Sequence, residues 1–270
     1  MIEKRIHSLS VWCFENLSGH EGIDHFVTTR RGGSSRPPYD ALNLSFNVGD
    51  DPETVLNNRT TLAESFGIPL ANLTTARQIH DARVKIVPEE LRGRGSTNYQ
   101  SAIDGTDALV TNVAGVCLMV LSADCVPILM YDPAKKIIGV VHAGWKGTLR
   151  LIARKTANVF REKFGSSPDD IRAGIGPSIG PCCFEVGPEV MSQARDGLGT
   201  GQNYVRNKSA GGKGYFDLWG ANLKQLVQAG IPEKNIEVAG ACTCDHTDVF
   251  FSHRCEGGKT GRFGSGMVIR

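Results

Sequence analysis

Three short segments each end an apolar run on a side chain that can ligate a metal or attack a substrate. They are Gln78-Ile79-His80, Ser122-Ala123-Asp124-Cys125 and Val141-His142-Ala143-Gly144-Trp145. One thiolate and two imidazoles make a three-ligand set for zinc that leaves a fourth position to water or substrate, as catalytic zinc sites require. The same atoms also read as a cysteine nucleophile with a histidine base, the base oriented by a carboxylate such as Asp124 or Asp107. A plainer reading, a buried thiol beside hydrogen-bonded core histidines, uses them too. The three residues lie far apart in the chain, so only the fold can assemble them.

A second kind of chemistry is offered by Thr29-Arg30-Arg31-Gly32-Gly33-Ser34, which joins two guanidiniums to backbone free to turn its N–H groups toward an anion. Read for function, this is a phosphate or carboxylate cradle centred on Arg30; read for structure, it is a hairpin tip with solvated arginines. Arg59 and Arg254 carry the same two readings. Cys182-Cys183 and Cys242-Thr243-Cys244 offer a further metal site on paper, but adjacent cysteines serve one ion awkwardly and no CxxC spacing supports it.

The elements that must position these groups follow from patterning. Asp51 reads as a helix N-cap, Pro52 as the first helical residue and Gly67 as the stop, so a helix spans 52 to 66. Residues 71 to 87 fit a strand pair, and 88 to 104 form a polar stretch too long for a mere connector. The β-branched runs Val116 to Leu121 and Ile137 to Val141 read as buried strands, with the DPAKK turn joining neighbours antiparallel. An amphipathic helix over 146 to 164 ends at Gly165, and a shorter one runs from Pro188 to Gly197. Residues 198 to 214 read as a polar, Gly-rich loop. Asp217 caps a helix over 217 to 229 that closes on Gly230-Ile231, and residues 236 to 243 with VFFSHR read as the last strands.

Composition narrows the function classes. The chain has 270 residues, 30 Lys and Arg against 28 Asp and Glu, and eight cysteines. Near-neutral charge gives no electrostatic footprint for a nucleic-acid or membrane-surface protein, and the cysteine share is far below that of a disulfide scaffold. No apolar run reaches the length of a membrane span, and the amino terminus lacks a secretory signal, so the sequence predicts a cytoplasmic protein. No repeat or composition break divides it, and one α/β domain over residues 1–270 is expected.

At TTRRGG with LNLSFNVGDDPETVLNNR, QIHDARV, DGTDALVT, SADCVPIL, VVHAGWKG, GIGPSIGPCCFEVG and FDLWGANLKQL, the chain resembles the YfiH-like proteins. These are labelled laccase-domain or polyphenol-oxidase proteins and also purine nucleoside phosphorylases. The resemblance implies a mixed β-sandwich whose layers are flanked by helices, and it implies that His80, Cys125 and His142 are the metal and catalytic constellation. It further implies a zinc-dependent transferase and hydrolase, with copper the less favoured ion. The reactions would be phosphorolysis of adenosine, inosine and methylthioadenosine and deamination of adenosine, with nucleoside and phosphate as partners; the candidate cation for the phosphate, from its own motif rather than the resemblance, is Arg30. A cysteine-dependent amidase editing peptidoglycan precursors and a non-enzymatic zinc-stabilised scaffold are the alternatives. The laccase label fails on ligand count, because a multicopper oxidase needs about ten imidazoles, many in His-X-His pairs. This chain has seven histidines and no such pair. One departure from the family is Asp81, where glycine is more usual, so that its carboxylate either meets a ligand imidazole or faces solvent.

Overall fold

In the computed structural model, which describes residues 1–198, 204–206 and 212–270, two six-stranded mixed sheets pack face to face. The first contains β1 (Ile2–Ile6), β2 (Leu9–Cys13), β3 (Ile23–Thr28), β4 (Leu73–Thr74), β7 (Cys117–Ser122) and β15 (Phe263–Ile269), in the order β1-β2-β3-β15-β7-β4. The second contains β5 (Val84–Ile86), β6 (Ala108–Thr111), β8 (Val126–Asp132), β9 (Ile137–Ala143), β10 (Arg172–Ile175) and β14 (Ile236–Val238), in the order β14-β10-β8-β9-β6-β5. A small third sheet joins β11 (Glu185–Val186), β12 (Val205–Arg206) and β13 (Gly214–Phe216), and the helices α1 (Glu15–Ser18) and α5 (Pro188–Leu198) follow β2 and β11. The DPAKK turn makes β8 and β9 an antiparallel pair, as expected.

Between the two large sheets lies a core of alternate side chains, with Leu118, Val120, Phe263 and Met267 meeting Leu109, Leu129, Ile138 and Val140. The outer face of the second sheet is covered by α4 (Ile152–Phe164) and α6 (Leu218–Gln228), and Phe160 lies so close to Gly139 that a Cβ there would meet its ring at 2.9 Å. On the other side, α2 (Pro52–Ser65) sets Leu62 with the following Phe66 against Leu9, Val11, Phe26 and Met119. The sequence signals for the caps hold: Asp51 accepts from Thr54 N, Asp217 accepts from Gly220 N, and Ile231 N and Gly230 N close on Leu226 O and Val227 O.

Four expectations need correction. The strand pair over 71 to 87 is not a pair, because β4 joins β7 in the first sheet while β5 joins β6 in the second. The helix over 146 to 164 is two helices, α3 (Trp145–Leu149) and α4, broken at Leu151 with φ of 62°. Strand β14 is short, and VFFSHR is not a strand at all. The last strand is instead β15, whose glycines resemble loop in sequence but are needed for packing: a Cβ on Gly266 would lie 2.5 Å from Phe26 and 2.8 Å from Leu118 O. Most of the predicted 198–214 loop lies outside the described residues. Among those that are described, no helix is long and apolar enough to cross a membrane.

Candidate metal and substrate cleft

The chain crosses from one sheet to the other at several points, and two of these crossings carry the chemistry. Residues 123–125 carry it from β7 to β8, and residues 75–83 carry it from β4 to β5; Cys125 lies on the first and His80 on the second. His142 lies near the end of β9, opposite Pro127 at the start of β8. Sandwich topology thus gathers the three at one end of the two sheets. Their ligand atoms lie within 4.8 Å of one another, with His80 exposed, Cys125 half-buried and His142 buried. The two imidazole rings stand edge to face at 4.8 Å. Gly144 leaves the room they need, since a Cβ there would meet the His80 ring at 3.0 Å and Cys125 Sγ at 3.2 Å.

Asp107 organises this arrangement. It immediately precedes β6, which pairs with β9, so the register sets it beside His142: its carbonyl accepts from His142 N at 2.7 Å and its carboxylate lies 2.9 Å from His142 Nδ1. The same fully buried carboxylate takes the backbone N–H groups of Ile79, His80 and Asp81 at 3.3, 3.0 and 2.9 Å, which holds His80 in the left-handed region at φ of 58°. Gln78 clamps the same crossing to β7 by exchanging two amide hydrogen bonds with Leu121. With Nδ1 on Asp107, His142 is left with Nε2 for an ion or a proton.

Burial opposes ionisation of Cys125, but the His142 and His80 imidazoles outweigh it and bring the thiol down to about 6. Burial likewise opposes charge on His142, yet Cys125 and Asp107 together raise it to about 9. Without an ion the pair is therefore a thiolate beside an imidazolium; with one, the same two groups present a thiolate and a lone pair. His80, Cys125 and His142 are a donor set that a single soft or borderline metal ion fits.

Above the trio opens a cleft of about 440 Å³, walled by Phe46, Tyr99, Trp145 and Phe184 and carrying the cations Arg59, Arg254 and Arg262. Arg59 is buried, donates to Leu44 O and Gly95 O and stacks on Phe46. Arg262 uses Nη1 on Thr260 O and Gly261 O, and its Nε and Nη2 have no hydrogen-bond partner among the described residues. Arg254 donates to Glu185 O beside Phe184.

Arg30 is not among the residues lining this cleft. Its guanidinium donates to Asp40 O and Thr247 O, pairs with Glu256 at 2.8 Å and stacks on Phe251, which ties the Arg-Gly-Gly loop to the 247–256 segment. Asp124 does not orient a histidine; it accepts from Thr243, Ser252 and Arg254 N while held at φ of 86°. Asp81 neither touches an imidazole nor stands free, since Arg150 and Ala82 N occupy it. Sequence reasoning misses Arg262, which hides in the glycine-rich TGRFGSG, and does not separate Asp107 from Asp124; the DGTDALVT strand edge is the only signal for the former.

A second cluster unites residues that sequence spacing argues against. Cys182, Cys183, Cys242 and Asp245 place their ligand atoms within 4.8 Å of one another, while Cys244 is instead joined to Cys255 by a disulfide with Cα atoms 5.5 Å apart.

A mixed sandwich carries a histidine–cysteine–histidine cluster at the base of an aromatic and cationic cleft, and among the described residues that cluster offers ligands for one ion, too few for a trinuclear copper centre. The chain belongs to the family described as multi-copper polyphenol oxidoreductase laccase, which it matches over residues 24–270. It is 39% identical over 251 residues to the purine nucleoside phosphorylase YlmD of Bacillus subtilis (strain 168), covering 93% of this chain and 90% of that protein. It is 40% identical over 248 residues to the adenosine deaminase RL5 of an unknown prokaryotic organism, covering 92% and 94%. Among solved structures, the Bacillus licheniformis hypothetical protein YfiH superposes with a TM-score of 0.93 at 35% identity, over 98% of each chain.

Proposed function

We propose that this protein is a purine nucleoside enzyme whose cleft cleaves nucleosides with phosphate and deaminates adenosine, with residues 1–270 acting as one catalytic unit. The observation that carries the reading is the convergence of His80, Cys125 and His142 under a cleft of nucleoside size that also holds unpaired guanidinium donors. Relatives named for phosphorolysis and for adenosine deamination, each alike over nine-tenths of the chain, support it.

In this reading the three residues hold zinc, which the nitrogen and sulfur donors fit better than copper within one open site. When bound, the ion supplies Lewis-acid activation of water for attack at C6 of adenine. Every other task falls to the chain. Asp107 fixes the His142 tautomer and the His80 backbone, and the aromatic walls take the faces of the base. Arg262, with Arg59 and Arg254, takes the role expected of Arg30 and holds phosphate by paired, charge-assisted hydrogen bonds. Phosphate oxygen then bonds to C1′ as the glycosidic C–N bond breaks, and the purine leaves with a proton. Adenosine, inosine and methylthioadenosine share the purine and ribose that these walls contact, so all three are proposed substrates.

The thiolate–imidazolium pair favours a second reading, a cysteine nucleophile that hydrolyses an amide in peptidoglycan precursors. That mechanism uses one histidine as base and leaves His80 without a task. A scaffold role would require a fourth protein ligand, and the trio has none among the described residues. Product analysis separates the readings: purified protein is given adenosine with phosphate, without phosphate, and with a chelator, beside Cys125→Ala. Ribose 1-phosphate with adenine, and inosine lost on chelation and in Cys125→Ala, are expected. An acyl-cysteine trapped on Cys125, with no base released from any nucleoside, would overturn the proposal.

A further inference from the structure

We infer that Cys182, Cys183, Cys242 and Asp245 form a second, structural zinc site that clips the wall of the cleft. Such a clip is independent of the proposed activity.

The donor set has the required chemistry. Three thiols and one carboxylate lie with their ligand atoms within 4.8 Å of one another, and tetrahedral zinc with Zn–S bonds of about 2.3 Å spaces its ligands by about 3.8 Å. Small rotations about Cα–Cβ bonds therefore suffice to close the shell. Thiolates select soft or borderline ions, and the carboxylate oxygen with a fourfold set favours zinc over copper(I). Four protein ligands close the coordination sphere, which marks the site as structural, in contrast to the three-ligand set at Cys125.

Adjacent cysteines serve one ion poorly when the backbone is extended, because neighbouring side chains then point to opposite faces. Cys182 and Cys183 are not extended. They lie in a turn closed by Cys183 N and Phe184 N, which both donate to Gly180 O at 3.0 Å. The turn brings both thiols onto one carboxylate, Cys182 Sγ on Asp245 Oδ2 and Cys183 Sγ on Asp245 Oδ1, each at 3.2 Å. Cys242 is buried, and its sulfur accepts the Gly180 N–H at 3.2 Å, the backbone support that a metal thiolate uses to spread its charge. Gly180 is also sterically required, since a Cβ there would lie 3.0 Å from Cys182 Sγ and 3.2 Å from Cys242 Cβ. Cys182 is exposed and gives an ion its entry path.

The position explains what a clip would do. Phe184 follows the cysteine turn and lines the cleft, while Thr243, between two of the ligand-bearing positions, holds Asp124 beside Cys125. Zinc joining 182–183 to 242–245 would fix both segments. Binding releases the thiol protons to solvent, so occupancy falls as pH is lowered.

Zinc is counted by elemental mass spectrometry on the full chain after dialysis, beside Cys125→Ser and Cys182→Ser/Cys183→Ser. Cys125→Ser is expected to keep about one equivalent, held by the second cluster, and Cys182→Ser/Cys183→Ser to hold about one fewer than the unaltered protein. So that poor folding of the double variant does not decide the result, cobalt(II) is also titrated into Cys125→Ser, which lacks the cleft thiolate. Sulfur-to-cobalt charge-transfer bands with strong tetrahedral d–d absorption are expected there from the second cluster. A Cys125→Ser chain that retains no zinc, or one that takes up cobalt without thiolate bands, would overturn the inference.

Discussion

At the scale of single residues, the cleft is governed by which partner each charge has found. Cys125 is ionised because two imidazoles face it, and this has a measurable signature in metal-stripped protein. Thiolate is the reactive form, and a group lowered to about 6 is ionised above that pH, so alkylation by iodoacetamide should rise through pH 6 and level off well before pH 9. In His142→Asn the midpoint should move upward toward that of an ordinary thiol; an unmoved profile would show that His142 is not the cause. The arginines divide by the same logic. Arg30 is spent on Glu256, Asp40 and Thr247, so Arg30→Lys should lower stability while the phosphate dependence of nucleoside cleavage stays unchanged. Arg262→Lys should raise the phosphate concentration needed for half-saturation by about tenfold, because ammonium cannot reproduce a paired guanidinium contact. Initial rates against phosphate concentration for both variants test the assignment.

At the scale of elements, the site depends on where strands end and cross. His80 and Cys125 lie on the links between sheets, and His142 lies on a strand whose partner register presents Asp107. Gly144, between β9 and α3, is the point where element packing and ligand geometry meet. Adding one methyl there drives a Cβ to within 3.0 Å of the His80 ring and 3.2 Å of Cys125 Sγ, while the rest of the fold is untouched. Gly144→Ala should therefore keep its circular dichroism and melting temperature within a few degrees yet weaken metal retention by about tenfold or more, a loss of the size produced when ligand support is disturbed. Competition with a chromophoric chelator gives the affinity. Of the features at this scale, the caps, the β8–β9 hairpin and the helix 52 to 66 are legible in sequence because their signals are local. The break at Leu151 is not, since amphipathic periodicity runs on across it.

At the scale of the whole molecule, the sandwich depends on close approach at its centre. Strand β15 lies between β3 and β7, and Gly266 lets Phe26 and the Leu118 carbonyl come within distances that no side chain permits. Gly266→Ala should destabilise the protein by about 3 kcal/mol or more, because overpacking in a central strand displaces backbone as well as side chains. Urea unfolding followed by fluorescence measures it, and Gly165→Ala is the control: that position is open space, so only the left-handed backbone strain of about 1 kcal/mol is expected. A cost at Gly266 no larger than at Gly165 would mean that β15 is not tightly held.

Residue types and short spacings are enough to settle which side chains have the right chemistry and which local elements bear them. Thiol and imidazole basicity, cap residues, buried strand runs and the histidine shortage that argues against a multicopper centre all belong to that level. Which of several equivalent candidates meet is settled only by long-range pairing. Nothing in the chain order distinguishes Asp107 from Asp124, or Arg262 from Arg30, because each pair differs only in the neighbours that register and sheet crossing supply. The same holds for Cys182 and Cys183: spacing rules treat adjacent cysteines as if the backbone were extended, and a single turn at Gly180 removes that objection by aiming both sulfurs at one carboxylate. Side-chain direction is set by backbone dihedrals and long-range pairing, and neither is written in local composition.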